Sequence, residues 1–181
     1  MAVARELFAE RGYAAVGTEE IVQRARVTRG ALYHHFRDKK DLFRAVVEQV
    51  EAELAEEIGG RLAGGPAEDP SALLAVGVRA FLEHCMDPAF ARIALVDAPS
   101  VLGWEEWREM DERYGLGLVI AGLQGAMAAG ALRDRPVRPL AHLILGALGE
   151  AGMLIANADD PAAARLEVEP AVLALLDGLR A

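Results

Sequence analysis

Residues Thr18–Phe43 read TEEIVQRARVTRGALYHHFRDKKDLF, and this stretch decides the fold. It reads as two short helices joined by a tight turn and followed by the start of a longer helix. Thr18 has the chemistry of an N-cap, since its hydroxyl can accept from a backbone N–H two or three residues on. Glu19 and Glu20 then place negative charge where the helix dipole favours it. Ile21, Val22 and Ala25 fall at helical spacing and give an inward face. After Arg26-Val27, Thr28 is the natural cap of a second helix. In that helix Leu32 and Phe36, four apart, should share the inward face. Arg29, Gly30, Ala31, Tyr33, His34 and His35 are left outside. A short helix showing donors, a ring and a small-residue window suits the major groove of DNA, and helix, turn, exposed helix is the helix-turn-helix pattern. An ordinary helical hairpin with a polar outside is the plainer reading of the same spacing.

Working outward, charge is divided along the chain. The whole carries a formal −9. Residues 1–50 hold nine Lys/Arg against seven Asp/Glu, a net +2, and the remainder is −11. Positive charge therefore sits with the exposed helix, while an acidic body repels the DNA backbone elsewhere. Lys39 and Lys40 open the next helix against its dipole, after Asp38 as N-cap, which points to an anionic partner. That helix runs through Leu42, Phe43, Val46, Val47, Val50 and Leu54 to about Ile58. It is shared by two domains, residues 1–50 and 51–181. The composition is that of an ordinary soluble protein, and strand-formers do not cluster, so the expected class is all-α with about nine helices. The single Cys85 excludes an intrachain disulfide and suits a cytoplasmic location. No signal peptide and no uninterrupted membrane-spanning apolar run is read, so no membrane partner is expected.

The residues Phe8 and Gly12-Tyr13 in FAERGY, Thr18, Ile21, Ala25, Val27-Thr28, Gly30-Ala31-Leu32-Tyr33, His35-Phe36, Lys39 and Leu42-Phe43 resemble the DNA-binding region of the tetracycline-repressor (TetR) family of one-component regulators. Beyond about residue 50 the likeness is architectural only. The resemblance implies phosphate contacts from Thr18, His35 and Lys39. The full candidate DNA set is Thr18, Thr28, Arg29, Gly30, Ala31, Tyr33, His34, His35 and Lys39, with Arg29 best placed to fork onto a guanine edge. The chain departs from the family in two places. The first helix begins almost at Met1, where the family usually has a longer helix behind a short basic arm; either the start lies upstream or the arm is absent. Arg26 stands where the family commonly has Gly. In a left-handed turn Arg is disfavoured by about 1–2 kcal/mol, which a phosphate contact from its guanidinium would offset.

The rest of the chain reads as helices broken at 64–70, Asp87-Pro88, Pro99, 133–136 and 159–161. Residues 138–157 are apolar almost all round, which requires burial on every side. With 162–180 they are expected to form a homodimer interface, mostly on the resemblance; a central helix of the protomer's own bundle is the other reading. A small, partly apolar effector is implied among the C-terminal helices, with Phe81, His84, Cys85, Phe90, Trp104, Trp107, Met110, Asp111 and Tyr114 as candidates. An aromatic stripe at this spacing also fits plain core. The adjacent pairs His34-His35 and His84-Cys85 point about 100° apart on a helix, so no metal is expected, nor any cofactor. No nucleophile, phosphate loop or paired-carboxylate signature marks an enzyme. The function that follows is a ligand-responsive DNA-binding regulator, expected to repress from a near-palindromic operator as a homodimer and to be released by a small-molecule effector. The alternative is a helical binding or interaction module that has lost DNA binding.

Overall fold

A computed structural model describes residues 1–64 and 70–180; the loop expected over 65–69 lies outside them. The described residues form nine helices and one isolated bridge, between Leu132 and Arg180. In chain order they are α1 (Ala2–Ala15), α2 (Thr18–Ala25), α3 (Arg29–His35), α4 (Lys39–Ala63), α5 (Pro70–His84), α6 (88–102), α7 (104–128), α8 (Val137–Ala156) and α9 (Pro161–Asp177). The all-α expectation and the count of helices hold.

Local chemistry sets most boundaries. Gly12 takes φ 77°, ψ 160° and breaks α1, so that Tyr13 folds back. The Tyr13 and Phe43 rings then meet edge-on at 5.0 Å, and Phe8 meets Phe43 at 5.2 Å. Thr28 caps α3 by accepting from the Ala31 N–H at 3.1 Å. Asp38 caps α4 by accepting from Asp41 N–H at 2.8 Å. Thr18 is not a cap. Gly17 holds that position and Thr18 is already helical, so its hydroxyl makes no capping bond.

Three helices differ from the sequence reading. α4 runs five residues beyond Ile58, to Ala63, so Gly59-Gly60 does not end it. α6 continues past Pro99 to Leu102 because it widens into a π-turn over Ala91–Asp97. In that register the Ala98 N–H reaches Ile93 O, and Pro99, which has no N–H, leaves the Ala94 carbonyl without its helical donor. The Trp107 indole N–H supplies it from α7 at 3.1 Å. In α7, where Gly115 and Gly117 fall within a continuous helix, a second π-turn spans Glu112–Leu116.

α8 is not buried on all sides in the protomer. Ala141, Leu145, Leu148, Ala151, Gly152 and Ile155 face in, while Leu143 and Leu154, three turns apart, are 72% and 55% exposed. Gly152 admits a close neighbour: a Cβ there would stand 3.0 Å from Cys85 Sγ, just past the end of α5, and 3.3 Å from Phe81 Cζ. By length and composition Val137–Ala156 is apolar enough to cross a membrane, although Arg138, His142 and Glu150 interrupt the run. Here it packs on α5, α6, α7 and α9. One apolar core links the N-terminal helices to the rest, from Ala4 and Phe8 through Phe43 and Val47 to Leu148 and Leu176.

Candidate functional site

The candidate DNA-facing surface is built by α2 and α3. Leu32 is buried with Ile21 and Val22 and anchors α3 to the core. Arg29, Gly30, Ala31, Tyr33, His34 and His35 are all exposed, as the spacing requires. Within this face Arg29 is engaged. Its guanidinium meets Glu19 at 2.7 Å and lies 5.5 Å from the centre of the Tyr33 ring. Both partners of the ion pair are well exposed, so the pair is weak and can yield to a guanine edge or a phosphate. The Tyr33 hydroxyl donates to Thr18 Oγ at 3.4 Å, which brings two candidates from different helices together. His34 and His35 stand edge to face at 5.3 Å, one beside the other rather than chelating.

Lys39 departs from the expected phosphate clamp. Its ammonium donates to the carbonyls of Tyr13 and Val16, both at 2.8 Å, and lies 4.0 Å from the Tyr13 ring centre. It serves carbonyls left over at the end of α1, and partial burial lowers its pKa. Next to it Asp41 accepts from the Arg37 and Arg44 side chains and the Arg37 N–H. Those bonds hold its pKa well below the usual carboxylate range. Arg26, after α2, takes φ 54°, ψ 40°, the left-handed turn that the sequence raised as a condition.

The second feature is a cavity of about 290 Å³ among α4, α5, α7, α8 and the end of α9. Of the nine expected ligand residues it brings together three: Phe81, Asp111 and Tyr114. The others do different work. Trp107 is buried against the α6 π-turn, and Met110 and Cys85 are core. His84 sits edge-on to the buried Phe90 at 4.7 Å and pairs with Glu57 at 3.3 Å. Trp104 is 69% exposed on the outer surface. The walls are aliphatic instead, with Leu54, Ile58, Leu74, Val78, Leu118 and Leu148 prominent. The stripe of aromatics was read as a lining, but helical spacing cannot say which side of α7 faces a hollow.

The residue that the sequence reading missed is Glu51. On α4 it reads as one more acid on a wet face, yet it lines this apolar hollow. Burial, with a contribution from the charge of Asp111, pushes its pKa up to about 8. Asp111 is raised to about 6, again mainly by burial, although Arg108 at 3.0 Å pulls it back.

The two regions are joined. The Tyr13 N–H donates to Asp97 Oδ2 at 2.7 Å, tying the broken end of α1 to the α6 π-turn. Lys40 at the head of α4 donates to Leu102 O at 3.0 Å and pairs with Glu106 at 3.2 Å, across the α6–α7 junction.

Comparison with known proteins accords with this geometry. Residues 1–46 match the model for bacterial regulatory proteins of the tetR family, and residues 71–179 match that for a tetracyclin repressor-like C-terminal domain. The chain is 34% identical over 122 residues to the transposon Tn10 TetC protein of Escherichia coli, covering 65% of this chain and 58% of that one. It is 33% identical over 105 residues to the transcriptional repressor AcnR of Corynebacterium glutamicum, covering 55% of each. The chain thus spans little more than half the length of these curated relatives. A solved TetR-family transcriptional regulator from Pectobacterium atrosepticum superposes with a TM-score of 0.87 at 36% identity, over 99% of this chain and 91% of that one. With both family models matched and together covering most of its length, the chain belongs to the TetR family of bacterial regulatory proteins.

Proposed function

We propose that this protein is a ligand-responsive transcriptional regulator that binds a near-palindromic operator as a homodimer, represses from it, and is released by a small molecule in the α4–α9 cavity. The observation that carries this reading is the division of α3: Leu32 locks it to the core while Arg29, Gly30, Ala31, Tyr33, His34 and His35 all stand clear. Arg29 is the base reader. The other exposed side chains, with Thr18 and the capping Thr28 at the helix ends, lie against sugar and phosphate. The domain boundary falls near residue 50, inside α4. The site of action is cytoplasmic.

The dimer forms through α8 and α9. Leu143 and Leu154 on α8 and Leu166 and Leu175 on α9, at 78% and 62% exposure, are the large apolar side chains that these two helices leave uncovered. Two recognition helices related by a two-fold axis then read two half-sites. Repression is relieved when an effector binds the released state better than the DNA-bound one. The joints at Tyr13–Asp97 and Lys40–Leu102 carry the change to α1 and α4.

A module that has lost DNA binding is the second reading, favoured by the inward engagement of Lys39. Selection of bound sequences from random duplex DNA separates the two. The regulator enriches a near-palindromic motif that Arg29→Ala loses or relaxes, and its affinity falls roughly 10³-fold or more between low and moderate salt. No enrichment from a folded dimer would favour the module.

A further inference from the structure

The charge pattern of the cavity carries the assignment of its ligand. Among the described residues every wall is apolar except at Glu51, Asp111 and Tyr114, and no Lys, Arg or His lines it. Asp111 shares its one cation, Arg108, with Glu112, which Arg108 meets at 3.3 Å. Glu51 has neither an ion pair nor a hydrogen bond among the described residues. A carboxyl in such a place stays protonated when the cavity holds no countercharge, because the ionised form is poorly solvated. An anionic ligand would meet Glu51 and Asp111 with nothing to neutralise it. A purely apolar ligand would strip the remaining water from Glu51 and return nothing. A hard metal ion is a poor fit, since it needs several oxygen ligands and no group of three or more metal-binding side chains occurs among the described residues.

We infer that this cavity selects an organic monocation with an apolar body, an amine or quaternary ammonium whose charge replaces the proton on Glu51, with Asp111 beside it. A cavity of about 290 Å³ lies at the small end of ligand pockets, which suits a small ligand. As the identity of the effector this rests on the regulator reading; as a binding site it rests on the cavity alone. The aliphatic walls receive the body of the ligand, and Tyr114 and Phe81 offer ring faces that also attract cations.

Binding that displaces a proton depends on pH. The groups around Glu51 are Asp111 and Tyr114 on α7 and the Cys85 thiol just past the end of α5, itself raised by burial and by Glu51. Behind Asp111 lie Arg108 and Glu112, with His142 of α8 at 3.3 Å from Glu112. With Glu51 titrating near 8, the ionised fraction rises about 20-fold between pH 6.5 and 8.5.

The test is calorimetric titration of the full chain with hexyltrimethylammonium, 1-octanol and octanoate. The charge of the first does not titrate, so its pH dependence belongs to the protein. The expected result is a cation at least tenfold tighter than either competitor, with affinity rising about 20-fold from pH 6.5 to 8.5. In Glu51→Gln that slope flattens and most of the cation affinity goes, while octanol binding is kept. Octanoate or octanol binding as tightly as the cation would overturn the inference, as would an unchanged slope in Glu51→Gln. If that variant does not fold, a flat profile in the unaltered chain is enough to reject it. Operator binding is measured in parallel. Cation binding with the expected slope in a protein that binds no DNA upholds the cavity and removes the regulator. Operator binding without cation binding does the reverse.

Discussion

Arg26→Gly should make the protein more stable and a poorer DNA binder at once. Arg26 sits at φ 54°, ψ 40°, and its N–H closes α2 onto Gln23 O at 3.2 Å, so the left-handed turn is held by the helix end. An L-residue in that conformation is disfavoured by about 1–2 kcal/mol. Glycine removes this but loses more chain entropy on folding, an opposing effect of about 0.5–1 kcal/mol. The net gain is about 1 kcal/mol, which in a chain of this size raises Tm by about 2–4 °C. Calorimetry of the DNA-free protein reads this directly. An unchanged or lower Tm would refute the strain argument. The second half concerns the guanidinium, which is exposed and has no ion pair among the described residues. If it meets a phosphate, its loss reduces the salt slope of operator binding by about 0.9. Equal affinity and slope in the two proteins would remove that contact. General damage to the fold would lower both stability and affinity, so opposite movements of the two are diagnostic.

Thr28→Ala removes the cap bond of α3 and should cost about 1 kcal/mol in urea unfolding; an unchanged midpoint would show that the recognition helix does not depend on it. Trp107→Phe leaves the Ala94 carbonyl in the α6 π-turn without a donor, at a cost of about 1–3 kcal/mol, and unaltered stability would mean that another group fills in. Glu51 has a raised pKa, so the folded state keeps a proton that the unfolded chain releases above about 4.5. Stability should therefore fall as pH rises from about 5 to 8, by up to roughly 1.4 kcal/mol per pH unit, with Asp111 adding between about 4 and 6. Urea midpoints at pH 5, 6.5 and 8 should show a shallower decline in Glu51→Gln, and identical declines would contradict it. Leu143→Asp on the exposed face of α8 should give monomers in sedimentation, whereas an intact dimer would place the interface elsewhere.

The N-terminal helices were legible because local chemistry fixes them. Thr28 and Asp38 cap where their side chains demand it, Gly12 turns the chain, and the spacing of Leu32 fixes which way α3 faces. Thr18 shows the limit of that logic: with Gly17 extended before it, the helix can start one residue early. The C-terminal domain was legible as helices but not as a site. The extension of α6 past Pro99 depends on Trp107 reaching the Ala94 carbonyl, a contact between separate helices that no local pattern encodes. The aromatics were placed around a ligand because rings are large and scarce, but packing put Trp107 and Phe90 in the core and Trp104 outside. Glu51 could not be found from its neighbours, since only α7 and α8 packing beside it turn an acid on α4 into a half-buried one that lines an apolar hollow.

The unbroken length of α4 has a geometrical consequence. Its cavity-lining residues reach Ile58 and Leu62, whereas its first turn, at Lys39 and Lys40, is fastened to the end of α1 and to the α6–α7 junction. At 1.5 Å per residue these regions are about 28 Å or more apart. A tilt of only about 5° at the cavity end therefore displaces the other end by roughly 2–3 Å, and in a two-fold dimer the separation of the recognition helices changes by about twice that. This exceeds the rise of about 3.4 Å between base pairs. If the protein acts as proposed, a ligand in the cavity needs to move its own surroundings by only a fraction of a bond length per turn of helix to put two half-sites out of phase.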